Sequence, residues 1–202
     1  MKFKRAAGLF TIAAGLVVAI AAAHLVPAAP AVAQDKANTA KWTRDNQLVL
    51  PKDWREWVFL GAPLTPNALN GGAAGFPEYH NTYIDPKSHT TFKRTGKFPE
   101  GTVIFKELQL TLPGDDANGS RAEVSGRGYF PGAFNGADVA VKDSKRCADT
   151  NNWCYFNFGH KAEPYAAKAP IMPKDKCAFC HIANATDDMV FTKFYGLLRK
   201  SK

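Results

Sequence analysis

Short apolar runs alternate with polar positions through most of this chain, and Gly, Pro, Asn and Asp separate them, which is the pattern of a β-rich fold. Leu48-Val49-Leu50 and Trp57-Val58-Phe59-Leu60 read as short strands separated by Pro51, Tyr79 to Ile84 alternates as a strand, and Val103 to Leu112 is the longest strand candidate. Ala122 to Phe130, Asp138 to Val141 and Trp153 to Phe158 complete the set. Helical signals are few. Asp85-Pro86 opens a short helix, with Asp85 as N-cap, Pro86 in the first position and Gly96 as the stop. A last helix is expected from a cap at Thr186 through Leu198, with Asp187 and Asp188 in its first turn and Arg199 and Lys200 at its end. The fold class predicted is therefore mainly β with some α: an antiparallel sheet with a few short helices and a C-terminal helix. Gln34 to Arg44 is polar and expected to be mobile. Gly61 to Gly75, rich in Gly, Pro and Asn, has the length of a loop that lines a ligand site.

The N-terminus changes the picture. Lys2, Lys4 and Arg5 form a basic head, Ala7 to Ala23 is uncharged and apolar, and Ala31-Val32-Ala33 is a small-x-small cleavage site. Residues 1–33 are expected to be a signal peptide exporting the protein to the periplasm, and 34–202 a single domain. An uncleaved anchor is the alternative, but Pro27 and Pro30 ahead of the cleavage site favour removal, so no membrane attachment is expected afterwards. The net charge of +8 falls when the leader's basic residues go, and what remains is spread without a cluster. Nucleic acid is not an expected partner.

The chemistry concentrates in Cys177-Ala178-Phe179-Cys180-His181, since C-x-x-C-H is the attachment signature of a c-type haem. Two thiols at that spacing add across the two vinyl groups of one porphyrin, and the adjacent imidazole becomes the axial ligand of the iron. A redox dithiol would need a preceding strand and a helix beginning at the first Cys, whereas Pro173-Lys174-Asp175-Lys176 precedes this one. A zinc site would have to recruit Cys147 and Cys154, whose separation is wider than in the usual structural pairs. Those two cysteines instead flank a turn, and in an oxidising compartment a structural disulfide is expected between them.

The order of elements separates cytochrome architectures. Small helical electron carriers place the motif near their start, and four-helix cytochromes need long helices upstream of it; this sequence has neither feature. For the sixth position of the iron, Met189 and Met172 lie too close in sequence to the proximal side, while His80, His89 and His160 are single histidines in strand or loop contexts. Five-coordinate iron is expected. Lys106 is the second informative residue. Period-2 reading puts it on one face with Ile104, Leu108 and Leu110, where it either becomes a desolvated nucleophile or snorkels to water beside an acid such as Glu107.

Taken together these residues resemble the cytochrome P-460 family of exported β-sheet haem proteins. The matching segments run in order: Leu50-Pro51-Lys52 with Arg55 to Val58, Tyr83 to Pro86, Lys93 to Gly96, Gly101 to Val103 with Lys106 to Leu108, Gly128 to Phe130, Val141 to Ser144, Cys177 to His181, and Asp188 to Thr192 with Phe194-Tyr195. The resemblance, which is to proteins related to cytochrome c-prime-beta, implies a homodimer with one haem c per subunit and an additional cross-link from the porphyrin to Lys106. It also implies oxidation of hydroxylamine, with nitric oxide as a related ligand or substrate and a cytochrome as electron acceptor. Cys177 and Cys180 then carry the thioethers, His181 ligates iron, and Asp138 falls where the family has an acidic distal residue, a proton acceptor for substrate oxidation. Two positions depart from the expected pattern. His80 stands in place of a distal arginine, and Asp138 is shorter than the expected glutamate, with a neighbourhood that also suits a solvated face. Phe76, after the Gly-rich loop, is expected to form an apolar distal wall or to be plain core. Three functions follow: a hydroxylamine oxidoreductase, a nitric-oxide-binding or sequestering cytochrome of the c-prime-beta type, and an electron-transfer cytochrome.

Overall fold

The computed structural model describes residues 40–199; the expected leader over 1–33 and Lys200 lie outside them. A five-stranded antiparallel sheet organises the chain. Its strands are β2 (Val58–Gly61), β3 (Tyr79–Ile84), β4 (Val103–Thr111), β7 (Pro131–Lys142) and β8 (Trp153–Asn157), hydrogen-bonded in that order. Beside it, β1 (Leu48–Val49) pairs with β9 (Lys168–Ala169), and β5 (Arg121–Glu123) with β6 (Gly126–Gly128). The mainly β architecture expected from the alternation is the one observed.

Because side chains alternate along each strand, the register gives the sheet two different faces. Val103, Phe105, Ala137, Val139, Val141, Cys154, Phe156 and Phe158 pack on one side with Leu48, Tyr165 and Ala169 into a buried core. Trp54 stacks on Phe105 there, with ring centroids 4.4 Å apart. The other face starts as a second apolar cluster, with Ile84, Ile104 and Tyr155 against Phe92, Phe98, Ala178, Met189, Val190 and Leu198. Further along the same strands it becomes polar. Thr82 pairs with Lys106, Lys106 with Asp138, and Asp138 with Asn157, so four strands contribute one transverse polar row.

Between β3 and β4 lies α1 (Pro86–Thr95). Asp85 caps it as expected: Oδ1 accepts from Ser88 N at 2.8 Å, while Oδ2 accepts from Val103 N at 3.0 Å and ties the helix start to β4. Gly96 closes it in the left-handed conformation (φ 68°), which costs glycine little.

Several expectations are corrected. Ala122 to Phe130 is not one strand but takes in the β5–β6 hairpin, which turns at Val124 and Ser125 and exposes Val124 fully. Asp138 to Val141 is the end of the longer β7. The expected mobile segment, as far as it is described, is anchored: Trp42 bridges to Leu48 and packs edge-on against Phe156. No α-helix follows the C-x-x-C-H segment among the described residues. Asp188 and Met189 adopt positive φ (50° and 64°), which stops helix propagation, and only the 3-10 turns Thr192–Phe194 and Gly196–Leu198 follow. The acids read as first-turn residues act as acceptors instead, Asp187 for the Thr192 hydroxyl and Asp188 for Lys142. No described helix is long and apolar enough to cross a membrane.

Candidate functional site

Helix α2 (Ala178–Asn184) carries the haem-binding motif, with Cys177 as its N-cap. A helix therefore does begin at the first cysteine, contrary to the sequence expectation. No strand leads into it, however, and burial pushes the Cys177 thiol up, the opposite of an activated dithiol. Cys177 and Cys180 are free thiols. Cys147 and Cys154 are joined to each other, closing the loop between β7 and β8.

The motif lies on the sheet face that carries the polar row. Ala178 and Cys177 pack with Ile104, Ala140 and Tyr155, and the His181 ring lies 4.6 Å from the Tyr155 ring and 4.9 Å from Phe191. His181 Nδ1 is 2.7 Å from the Met189 carbonyl. As a donor to that oxygen, Nδ1 carries the proton, which leaves Nε2 with the lone pair a metal requires. Burial lowers the His181 pKa and so favours the neutral, ligating form. The Tyr155 hydroxyl is buried without a partner, and burial holds its proton on. Two thiols, a correctly tautomerised imidazole and an aromatic wall on one apolar face form a donor set that fits a covalently held haem.

Met189 occupies the proximal side through its carbonyl, and its sulfur accepts from Asn151 Nδ2 at 3.4 Å. His89 lies within α1.

Along the row, Lys106 Nζ lies 2.9 Å from Asp138 Oδ2, with a quarter of the lysine side chain and a fifth of the aspartate exposed. The same ammonium sits over the Phe76 ring, 4.2 Å from its centroid, which places the partly exposed Phe76 beside the row. Asn157 Nδ2 donates to Asp138 Oδ1 at 2.8 Å, and His160 Nε2 lies 3.5 Å from that oxygen. Burial alone would raise the Asp138 carboxyl, but His160 and Lys106 beside it hold it well below the usual range. His80 packs edge-on against Phe76, its Nε2 buried without a partner, and burial followed by the Lys106 charge depresses its pKa to about 4. Glu78 is buried close by, one oxygen accepting from Asn135 at 3.0 Å and the other unpartnered.

Phe76, His80, Lys106 and Asp138, each singled out from sequence, thus meet in one cluster. Glu107 does not join it: it points to the opposite face, fully buried, where Arg55 donates to both its oxygens at 2.6 and 3.1 Å and the Tyr165 hydroxyl donates at 3.0 Å. His160, which sequence reading treated as an ordinary surface or hydrogen-bonded histidine, belongs to the cluster, with its pKa raised chiefly by its bond to Asp138. Its seat depends on Gly136, where a Cβ would meet His160 Cδ2 at 3.1 Å and the Gly159 carbonyl oxygen at 3.0 Å. Only that glycine on the facing strand hinted at it.

Comparison with curated proteins returned no match. A family model described as Cytochrome P460 matches residues 51–192, a span that takes in the transverse row, Phe76, His80, His160 and the whole C-x-x-C-H segment. With most of the chain matched and a donor set suited to covalent haem, the chain belongs to the cytochrome P460 family and is a c-type haem protein.

Proposed function

We propose that the protein oxidises hydroxylamine, and that the cluster beside the haem-binding motif is where the substrate's protons leave. The observation that carries this reading is the Asp138 carboxylate, largely buried on the motif's face of the sheet and joined to the half-exposed His160. A bound haem supplies an iron that takes a small nitrogen ligand and accepts its electrons. The remaining tasks fall to the chain's own residues. Phe76 restricts water, and His80, neutral at physiological pH, offers its buried nitrogen as a hydrogen-bonding partner to the substrate. Asp138 receives a proton, and His160 passes it to solvent.

Asp138 is a weak base while Lys106 and His160 hold its pKa down. An amine joined covalently to an aromatic carbon has no ammonium charge. Lys106 is the residue we assign to the porphyrin cross-link; the N–C bond would replace an N–H and a ring C–H, with two electrons and two protons passing to a peroxide-class oxidant during maturation, and would remove that cation and raise the carboxylate toward a useful basicity. The reading extends to a periplasmic homodimer with one haem per subunit, delivering electrons to another cytochrome.

Steady-state hydroxylamine oxidation by the purified holoprotein with an artificial electron acceptor, recorded with its intact mass and ferrous spectrum, tests the proposal. Turnover with a band well to the red of an ordinary c-type haem is expected. An ordinary spectrum, no turnover and tight nitric oxide binding would favour the sequestering cytochrome instead. A stable sixth protein ligand would favour the electron carrier.

A further inference from the structure

The loop after the haem-binding motif reverses through two consecutive left-handed residues, Asp188 (φ 50°) and Met189 (φ 64°). A residue as bulky as methionine avoids that conformation, so the surroundings must hold the pair in place. Asp188 is gripped from the sheet: Lys142 Nζ on β7 donates to Oδ2 at 2.5 Å, and the indole of the buried Trp153 on β8 donates to Oδ1 at 3.2 Å. Lys142 is itself steadied by the Phe98 carbonyl at 3.0 Å. Met189 is held through its sulfur by Asn151, a third left-handed residue (φ 52°), which lies inside the loop closed by the Cys147–Cys154 disulfide. What this turn presents is the Met189 carbonyl, 2.7 Å from His181 Nδ1.

We infer that Asp188 is a positioning residue for the haem: tied to Lys142 and Trp153, it holds the Met189 carbonyl against His181 and thereby sets how strongly the axial imidazole donates to iron. A hydrogen bond accepted from the non-ligating nitrogen makes an imidazole a more basic ligand. A more basic axial ligand strengthens the iron–histidine bond and favours the ferric state, so the clamp lowers the reduction potential. The three tethers come from β7, β8 and the disulfide loop, so the axial ligand is governed by the rigid part of the fold rather than by the short helix that carries it. This inference requires ligation by His181 and is independent of the substrate.

The test uses the holoprotein carrying Asp188→Ala and, separately, Lys142→Met, with ferrous resonance Raman spectra and midpoint potentials as readouts. In Asp188→Ala the iron–histidine stretch is expected at lower frequency and the potential more positive. Lys142→Met should shift both in the same directions by less. Asp188→Asn should return toward the wild type, because its amide oxygen still accepts from Trp153 and asparagine tolerates left-handed backbone. Wild-type frequency and potential in Asp188→Ala with haem fully attached overturn the assignment. If that variant does not retain haem, the same result in Lys142→Met overturns it.

Discussion

Lys106 and Asp138 face each other at one register position of β4 and β7, with Nζ and Oδ2 2.9 Å apart. Each therefore fixes the chemical state available to the other. A cation at Lys106 keeps Asp138 ionised, and a carboxylate at Asp138 compensates an ammonium that would otherwise face an apolar sheet surface. Chemistry at the amine is in this way linked to basicity at the acid.

Replacing Lys106 with alanine should leave haem attached through Cys177 and Cys180 but abolish both the red-shifted ferrous band and hydroxylamine turnover. Spectroscopy and intact mass of the purified variant check this, the mass confirming that haem is present. A red-shifted band in the variant would show that the modification does not involve Lys106.

Asp138→Ala should keep the spectrum and lower kcat by about 10²-fold, the usual contribution of one proton-transfer group. Adding a bulky non-ligating buffer base such as HEPES to His160→Ala should restore part of any rate that variant loses, because a mobile base can carry the proton from Asp138 to solvent. Wild-type kcat in Asp138→Ala would move that residue out of the catalytic path.

The two histidines of the cluster should titrate on opposite sides of the ordinary value. His80, depressed to about 4, stays neutral through the physiological range, while His160 is raised by Asp138. The raised group stabilises the fold below its unfolded pKa and loses that contribution as pH rises through its folded pKa; the depressed one has no effect above about 6.5 and costs stability as pH falls toward 4. Asp138 stabilises above the ordinary carboxylate value and loses its contribution as pH falls through its lowered pKa. Histidine ring-proton NMR of the diamagnetic ferrous carbonyl form reads both imidazoles. In Asp138→Asn the His160 titration should drop toward the ordinary value while His80 stays low.

Glu107→Ala should cost about 3 kcal/mol of stability, because it opens a buried cavity, strands the Tyr165 hydroxyl and leaves Arg55 with Glu163 as its remaining acidic partner. The lower end of the range for broken buried pairs applies, since Arg55 is 43% exposed and can turn toward water. Denaturant unfolding followed by far-UV circular dichroism measures it. An unchanged midpoint would mean that the reverse face does not support the strand.

The double substitution of Cys147 and Cys154 by alanine should lower stability by about 2 kcal/mol, as expected for a short closed loop. Changing both avoids a stray thiol that could pair with Cys177 or Cys180. Thermal unfolding of the holoprotein checks the loss.

Most strands and helix α1 were legible because each depends on local pattern, whereas Asp138 and His80 were reached through the family resemblance. Period-2 alternation placed Lys106 beside Ile104 and Leu108, and Asp-Pro with a later Gly marked α1 at both ends. Features set by tertiary contacts were not legible. The residues from Thr186 onward carry good helix signals, yet Asp187 and Asp188 are taken up by Thr192, Lys142 and Trp153, and the chain turns left-handed where a helix would have grown. The partner of Lys106 could be chosen only with the register known, since Glu107, adjacent in sequence, points to the other side. His160 is a single histidine beyond the end of β8, and nothing local predicts its approach to Asp138.

One apolar core lies behind the sheet and a second cluster covers one end of its front, whereas the transverse row stands on the rest of that front face. Thr82, Lys106, Asp138 and Asn157 therefore belong to neither apolar cluster. Relatives that take a different small molecule could exchange that row position by position while the scaffold folds as before, and a designer could use it as an interchangeable panel for tuning reactivity.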